Sequence, residues 1–234
     1  MLLQERGLDE RSGAFLAGGA LDNWSSPNLR GDLNTGLGRW TQDEIAEYLK
    51  TGRNRHGAAF GPMADVVNYS TSKLTDEDRL AIAKYLKSLS PSIDRARPVW
   101  VRDDRDEQML LSRRFDGPGA ATYVRQCASC HGADGASDGG LPALAGNPAV
   151  LDDDPTSLIN IVLNGAPTRE GEEAGVAAMP QFRSFLSDRD IADVISFVRD
   201  GWGNRARPAT QAEVAALRSA TAGGAERVII RQMR

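Results

Sequence analysis

Cysteine is nearly absent from this chain: two in 234 residues. That excludes a scaffold held together by several disulfides. Neither sign of charge dominates, with 28 Lys and Arg against 32 Asp and Glu and a net charge of −4. A basic nucleic-acid binder and a disordered acidic tail are both excluded by that balance. No apolar run approaches the roughly 18 to 20 residues of a membrane-spanning helix. What is present is ordinary for a folded protein. Hydrophobic residues make up 41%. Twenty-four glycines and eleven prolines predict frequent turns and long loops. The length suits one large domain or two of roughly a hundred residues.

The two cysteines stand three positions apart, in Cys127-Ala128-Ser129-Cys130-His131. C-x-x-C-H is the attachment pattern of a c-type haem. Thiols at that spacing lie on one side of a helical turn, so each can form a thioether with one vinyl group of the ring. The adjoining imidazole then lies under the porphyrin and can ligate the iron. Three other readings compete. A thioredoxin-like C-x-x-C needs a βαβ setting, and the surroundings show no alternating strands. A zinc site wants roughly four ligands, and the other histidine, His56, is about seventy residues away. A chance match or a simple disulfide remains open.

A haem iron that transfers electrons often takes a methionine thioether as second axial ligand. Of five methionines, Met1 and Met233 are terminal and Met109 sits among charges, leaving Met63 and Met179. Met179 follows a loop rich in Gly and Glu, 48 residues after His131. Methionine is also a common core filler, but given a haem, Met179 is the expected ligand.

Three helices surround the motif in the sequence pattern. Gly117-Pro118 opens one that carries Tyr123, Val124 and Cys127. Asp154-Pro155 opens another, with Leu158, Ile161 and Val162 on one face and Asn164-Gly165 at its end. Ser187 and Asp190 cap a third, in which Ile191, Val194, Ile195 and Val198 keep helical spacing. No stretch alternates as a strand, so the expected fold class is all-α.

The pattern occurs twice. Pro27-Asn28-Leu29 matches Pro142-Ala143-Leu144, Tyr48 to Gly52 matches Val162 to Gly165, and Met63 matches Met179. Leu74 to Asp78 and Ala83 to Leu86 match Leu186 to Asp190 and Ile195 to Val198, all at offsets of 112 to 116 residues. This is an internal duplication. The first copy lacks its attachment motif: where it would fall, the chain reads Ser12-Gly13-Ala14-Phe15-Leu16. Either that copy has lost its haem or the chain begins inside a longer protein. The second reading is preferred, because haem c is attached outside the cytoplasm and residues 1–6 do not open a signal peptide. The expected organisation is therefore a partial cytochrome c-like domain over 1–90, a linker over 91–112, a haem domain over 113–205 and a tail over 206–234. For the tail, packing against the domain and a weak contact with a partner or a membrane surface are both open.

With these motifs in view, the sequence resembles the C-terminal portion of the multihaem cytochrome c subunits of bacterial membrane-bound dehydrogenases, the alcohol and gluconate type. The resemblance is carried by Pro27-Asn28-Leu29, Thr35 to Trp40, Tyr48 to Gly52, the Ala81 to Leu89 helix, Cys127 to Gly135, Met179-Pro180 and Phe197 to Asn204. It implies three haem domains in the whole protein, with this chain holding the last and the rear of the middle one. It implies one covalent haem c here, on Cys127, Cys130 and His131 with Met179, and Pro142 as the residue whose carbonyl orients the histidine. A plain turn proline is the alternative for Pro142. Met63 matches a methionine ligand of the middle haem, without a local C-x-x-C-H partner. The resemblance further implies an electron carrier with no catalytic residue of its own. It would work on the periplasmic side, taking electrons from a dehydrogenase catalytic subunit and passing them toward quinone or an oxidase. A haem enzyme of peroxidase type, with an open iron position, and a standalone monohaem carrier are the alternatives. Tyr123 and Phe197 fit helices that flank the haem and fit core packing equally. Arg53, Arg55 and His56 could neutralise haem propionates, meet a partner, or form a solvated loop. Trp24, Trp40 and Trp202 read as packing residues.

Overall fold

Capped, amphipathic segments dominate the protein, which is described here from a computed structural model covering residues 9–10, 12–92, 98–115, 117–137, 141–166 and 178–222. In the front half, Thr41 and Glu44 form a reciprocal capping box that starts α1 (Gln42–Thr51), and left-handed Gly52 ends it. Each end thereby satisfies backbone groups that a helix leaves unpaired. Pro62 opens α2 (Pro62–Tyr69), and Thr75 caps α3 (Asp76–Ser88). Helices α1 and α3 pack through Ile45, Leu49, Ala83 and Leu86, with Leu37 and Trp40 completing the front core.

The rear half contains α4 (Arg105–Leu111), α5 (Ala120–Gln126), α6 (Ala128–His131), α7 (Pro148–Leu151), α8 (Thr156–Asn164), α9 (Asp188–Asp200) and α10 (Gln211–Ala220). Its core joins Tyr123, Ile159, Leu163, Ile191, Ile195 and Trp202. Tyr123, Phe197 and Trp202 meet at ring-centroid distances of 5.2 to 5.7 Å, all tilted or edge-on, as aromatic quadrupoles prefer. Trp202 is fully buried and its Nε1 donates to the Ala133 carbonyl at 2.9 Å.

The all-helical expectation needs one addition. β1 (Gly19–Leu21) and β2 (Trp24–Ser26) form an antiparallel hairpin, as do β3 (Arg53–Asn54) and β4 (Gly57–Ala58). Strands of two or three residues are too short to show an alternating pattern, which is why the sequence hides them. The helix expected to open at Gly117-Pro118 begins at Ala120, after Gly119 at φ 87°. The segment read as a linker carries α4, and Leu110 is buried in the rear core. Residues 211–220 of the expected tail form α10, which buries Val214 and Leu217 against the same core. Val228, Ile229 and Ile230 lie outside the described residues.

The two halves touch through polar contacts. The Ser157 hydroxyl accepts from the Ser25 amide at 2.8 Å and donates to the Ser25 carbonyl at 2.9 Å. Asn160 Nδ2 donates to the Asn23 carbonyl at 2.8 Å. Arg39 lies 5.2 Å from the centre of the Trp100 ring and donates to the Gly146 carbonyl. Trp100 Nε1 in turn donates to the Trp202 carbonyl at 3.2 Å.

Candidate haem site

Helix α5 stops at Gln126 because Cys127 leaves helical geometry (φ −120°, ψ −38°) and caps the next turn. The Cys127 carbonyl then accepts from the Cys130 amide at 3.1 Å and the His131 amide at 2.9 Å. That one turn brings Cys127, Cys130 and His131 to the wall of a single cavity of about 300 Å³. Gly132, at φ 72°, turns the chain away. The Tyr123 hydroxyl donates to the Gly132 carbonyl at 2.7 Å, tying the turn to the core.

His131 Nδ1 lies 3.2 Å from the Pro142 carbonyl oxygen. A carbonyl can only accept, so Nδ1 carries the proton of the neutral ring and Nε2 keeps its lone pair. Burial pulls the imidazole below its usual pKa, and the Pro142 contact opposes this only in part. Burial also pushes the Cys127 thiol up to about 11, with Cys130 adding to the shift. Before thioether formation both groups are therefore held neutral near pH 7.

Met179 lines the same cavity. Its backbone makes a two-bond bridge with Ala166: Ala166 N–H donates to the Met179 carbonyl at 3.0 Å, and Met179 N–H donates to the Ala166 carbonyl at 2.9 Å. Gly165 permits that approach. Its φ is 72°, and a Cβ there would stand 2.5 Å from the Met179 oxygen. Pro142, Leu158, Ile161 and Val162 also line the cavity. The face of α8 picked out by the sequence is thus the cavity face, while Ile159 and Leu163 enter the core.

Met63 stands elsewhere, in a second cavity of about 360 Å³ in the front half, with Pro27, Trp24, Trp40, Tyr48 and His56. Ala58, Phe60, Asn147 and Ala149 line both cavities, so they form a shared wall. His56 stacks on Trp40 at 4.9 Å and 12°, and its Nε2 lies 3.3 Å from Glu44 Oε2, while Arg55 engages Oε1 of the same carboxylate. Trp40 Nε1 is buried with no hydrogen-bond partner among the described residues. Sequence reasoning saw Trp24 and Trp40 only as packing, and it missed the wall that the β3–β4 turn and Asn147 build. The available signal was Asn54 to Gly57, a turn composition directly ahead of Met63.

The donor set fits a c-type haem: two thiols on one turn, an imidazole whose far nitrogen holds the proton, a thioether, and apolar walls. Comparison with known proteins agrees. Residues 118–202 match the family described as cytochrome c, which supports a cytochrome c domain over those residues of this mostly helical chain, with haem c as its cofactor.

More particularly, the chain is similar to cytochrome c subunits of dehydrogenases. It is 48% identical over 199 residues to the cytochrome c subunit of a quinone alcohol dehydrogenase from Gluconobacter oxydans (strain 621H), covering 82% of this chain and 41% of that protein. With the corresponding subunit from Gluconacetobacter polyoxogenes it shares 46% over 222 residues, 92% of this chain and 47% of the relative. It is 42% identical over 224 residues to the gluconate 2-dehydrogenase cytochrome c subunit of Pantoea cypripedii, covering 92% and 50%. The chain spans about half the length of these curated relatives.

Proposed function

We propose that this chain is an electron-transfer unit of a dehydrogenase complex, with one covalent haem c in the rear cavity. The observation that carries the reading is the convergence of Cys127, Cys130, His131 and Met179 on one apolar cavity, with His131 Nδ1 committed to Pro142. Bound there, the haem supplies a one-electron Fe(II)/Fe(III) couple. Cys127 and Cys130 would hold the ring by thioethers, and His131 would offer Nε2 to the iron. Met179 would offer its sulfur, and iron held by both residues would move electrons without admitting substrate. Pro142 keeps the imidazole in the tautomer that leaves Nε2 free to ligate.

The chain is read as two cytochrome c-like units in tandem, over 1–90 and 113–205, joined by 91–112 and followed by 206–234. The two cavities support this, since Met63 and Pro27 line the front one as Met179 and Pro142 line the rear. Covalent attachment in the front cavity would require cysteines other than the two in this chain. Relatives named as subunits of dehydrogenases support a separate catalytic subunit as electron donor. Quinone or an oxidase is the proposed acceptor and the periplasm the proposed compartment. No helix among the described residues is long and apolar enough to cross a membrane.

Co-expression with a haem-attachment system tests the assignment. Intact mass should show one haem per chain, and haem staining of a denatured gel should persist in the native sequence and vanish in the Cys127→Ala, Cys130→Ala double variant. A colourless product, or a haem that survives loss of both cysteines, contradicts it.

A further inference from the structure

Trp202 and Asn204 are fully buried just past the end of α9, and neither lines the rear cavity. Trp202 holds a left-handed backbone (φ 54°, ψ 31°), and Gly203 follows at φ 83°. A side chain with a Cβ resists that conformation, so the surroundings must fix it. The bend sends one side chain to the residues that follow His131 and the other to those that follow Pro142. The Trp202 ring stands where a Cβ of Gly135 would be, 2.7 Å away, and its Nε1 donates to the Ala133 carbonyl. Asn204 uses its whole amide. Its Oδ1 accepts from the Gly146 amide at 2.9 Å, and its Nδ2 donates to the Leu144 carbonyl at 3.2 Å and the Val198 carbonyl at 2.8 Å. The Leu144 and Ala145 amides donate to the Gly135 carbonyl at 2.7 and 3.1 Å, closing the two stretches on each other.

We propose that Asn204 is a positioning residue for the iron ligand: it fixes the Pro142 carbonyl against His131 Nδ1 and so helps set the reduction potential of the rear centre. The proposal rests on the haem assignment above. Proline has no amide proton, so Pro142 cannot be anchored through its own nitrogen, and its neighbours must place its carbonyl. Asn147 Nδ2 braces the segment from within, donating to the Ala143 carbonyl at 2.8 Å. Asn204 ties the same segment to α9 through Val198. A buried amide with every group engaged holds one arrangement. The His131–Pro142 contact, at 3.2 Å, is at the long end of the normal range, so a small shift of the carbonyl weakens it. An imidazole that donates its far proton is a more basic ligand. Such a ligand favours ferric iron, which carries one more positive charge than ferrous, and lowers the potential.

The test joins a spectroelectrochemical titration of the haem-loaded full chain to proton NMR of His131 Nδ1–H in the ferrous, diamagnetic state. The chains compared are the native one, Asn204→Ala, Asn204→Ser and Ser187→Ala. Ser187→Ala removes the cap of the same helix away from residues 142–146, so it controls for lost stability. Asn204→Ala should shift the equilibrium toward the reduced form about threefold, roughly 28 mV upward at 59 mV per tenfold for a one-electron couple. Exchange of the His131 Nδ1 proton with solvent should quicken about tenfold, as a local opening would cause. Asn204→Ser, whose hydroxyl keeps one bond, should give smaller changes of the same sign. Ser187→Ala should leave both readouts in place. The sign separates positioning from packing: water entering a loosened cavity stabilises the more highly charged ferric form and lowers the potential. An unchanged or lowered potential in a loaded Asn204→Ala chain, or an equal rise in Ser187→Ala, overturns the role of Asn204 alone. If Asn204→Ala yields no loaded chain, Asn204→Ser decides by the same signs. A native chain with no covalent haem overturns the site assignment, and this proposal with it.

Discussion

His131 shows how little is left for a cofactor to arrange. One backbone carbonyl fixes which nitrogen holds the proton, and burial keeps the ring neutral. Glu44 shows the opposite balance. Burial alone would raise its pKa, but the Thr41 amide, Arg55 and His56 outweigh burial and hold the carboxyl down at about 2, from 4.5. A carboxylate depressed in the folded state stabilises the protein fully above 4.5, and that contribution is lost as the pH falls from 4.5 toward 2. Glu44→Gln should remove this acid sensitivity. Urea denaturation at pH 7 and pH 3 should show a native drop larger than the variant's by on the order of 1 to 2 kcal/mol. Equal drops would mean that the Glu44 cluster does not contribute.

Among the elements, α5 and α9 cross where Gly119 leaves no room for a side chain. Its φ is 87°, and a Cβ would stand 2.1 Å from the Asp193 carbonyl. Gly119→Ala should therefore destabilise by more than about 2 kcal/mol. Ser187→Ala, which removes only the cap of α9, should lose about 1 kcal/mol. Denaturant midpoints for the pair would check the ordering, and a Gly119 variant as stable as the cap variant would refute the close crossing. These elements also mark what the sequence could reveal. Helix α9 was legible because its cap and helical repeat are local signals. Cys127, Cys130 and His131 were legible because one turn contains them all. Helix α4 was not, since Arg102 to Glu107 reads as a run of charge and only Leu110 is buried in the core, with Met109 packed against it. The β3–β4 hairpin was invisible for the same reason of scale, although it places Arg53 at the rear cavity. For α8 the apolar face was seen correctly, yet whether it met core or cofactor could not be decided without knowing what lay opposite.

Across the whole molecule, the two cavities share a wall one residue thick in places, and polar contacts between distant residues hold the halves against it. Such contacts leave no trace in a sequence pattern: Ser25 and Ser157 are 132 residues apart. Removing both Ser157 bonds with Ser157→Ala should cost about 1 to 2 kcal/mol. Hydrogen exchange at the Ser25 amide should quicken, while exchange in α9 should stay as it was. Unchanged protection at Ser25 would show that the halves are held by other means. The account as a whole depends on iron bound by both His131 and Met179, and the absorption spectrum of the oxidised, haem-loaded chain tests this most directly. It should show low-spin ferric haem with the far-red charge-transfer band of a methionine-bound iron, and the band should vanish in Met179→Leu. A high-spin spectrum lacking that band in the native chain would contradict the account.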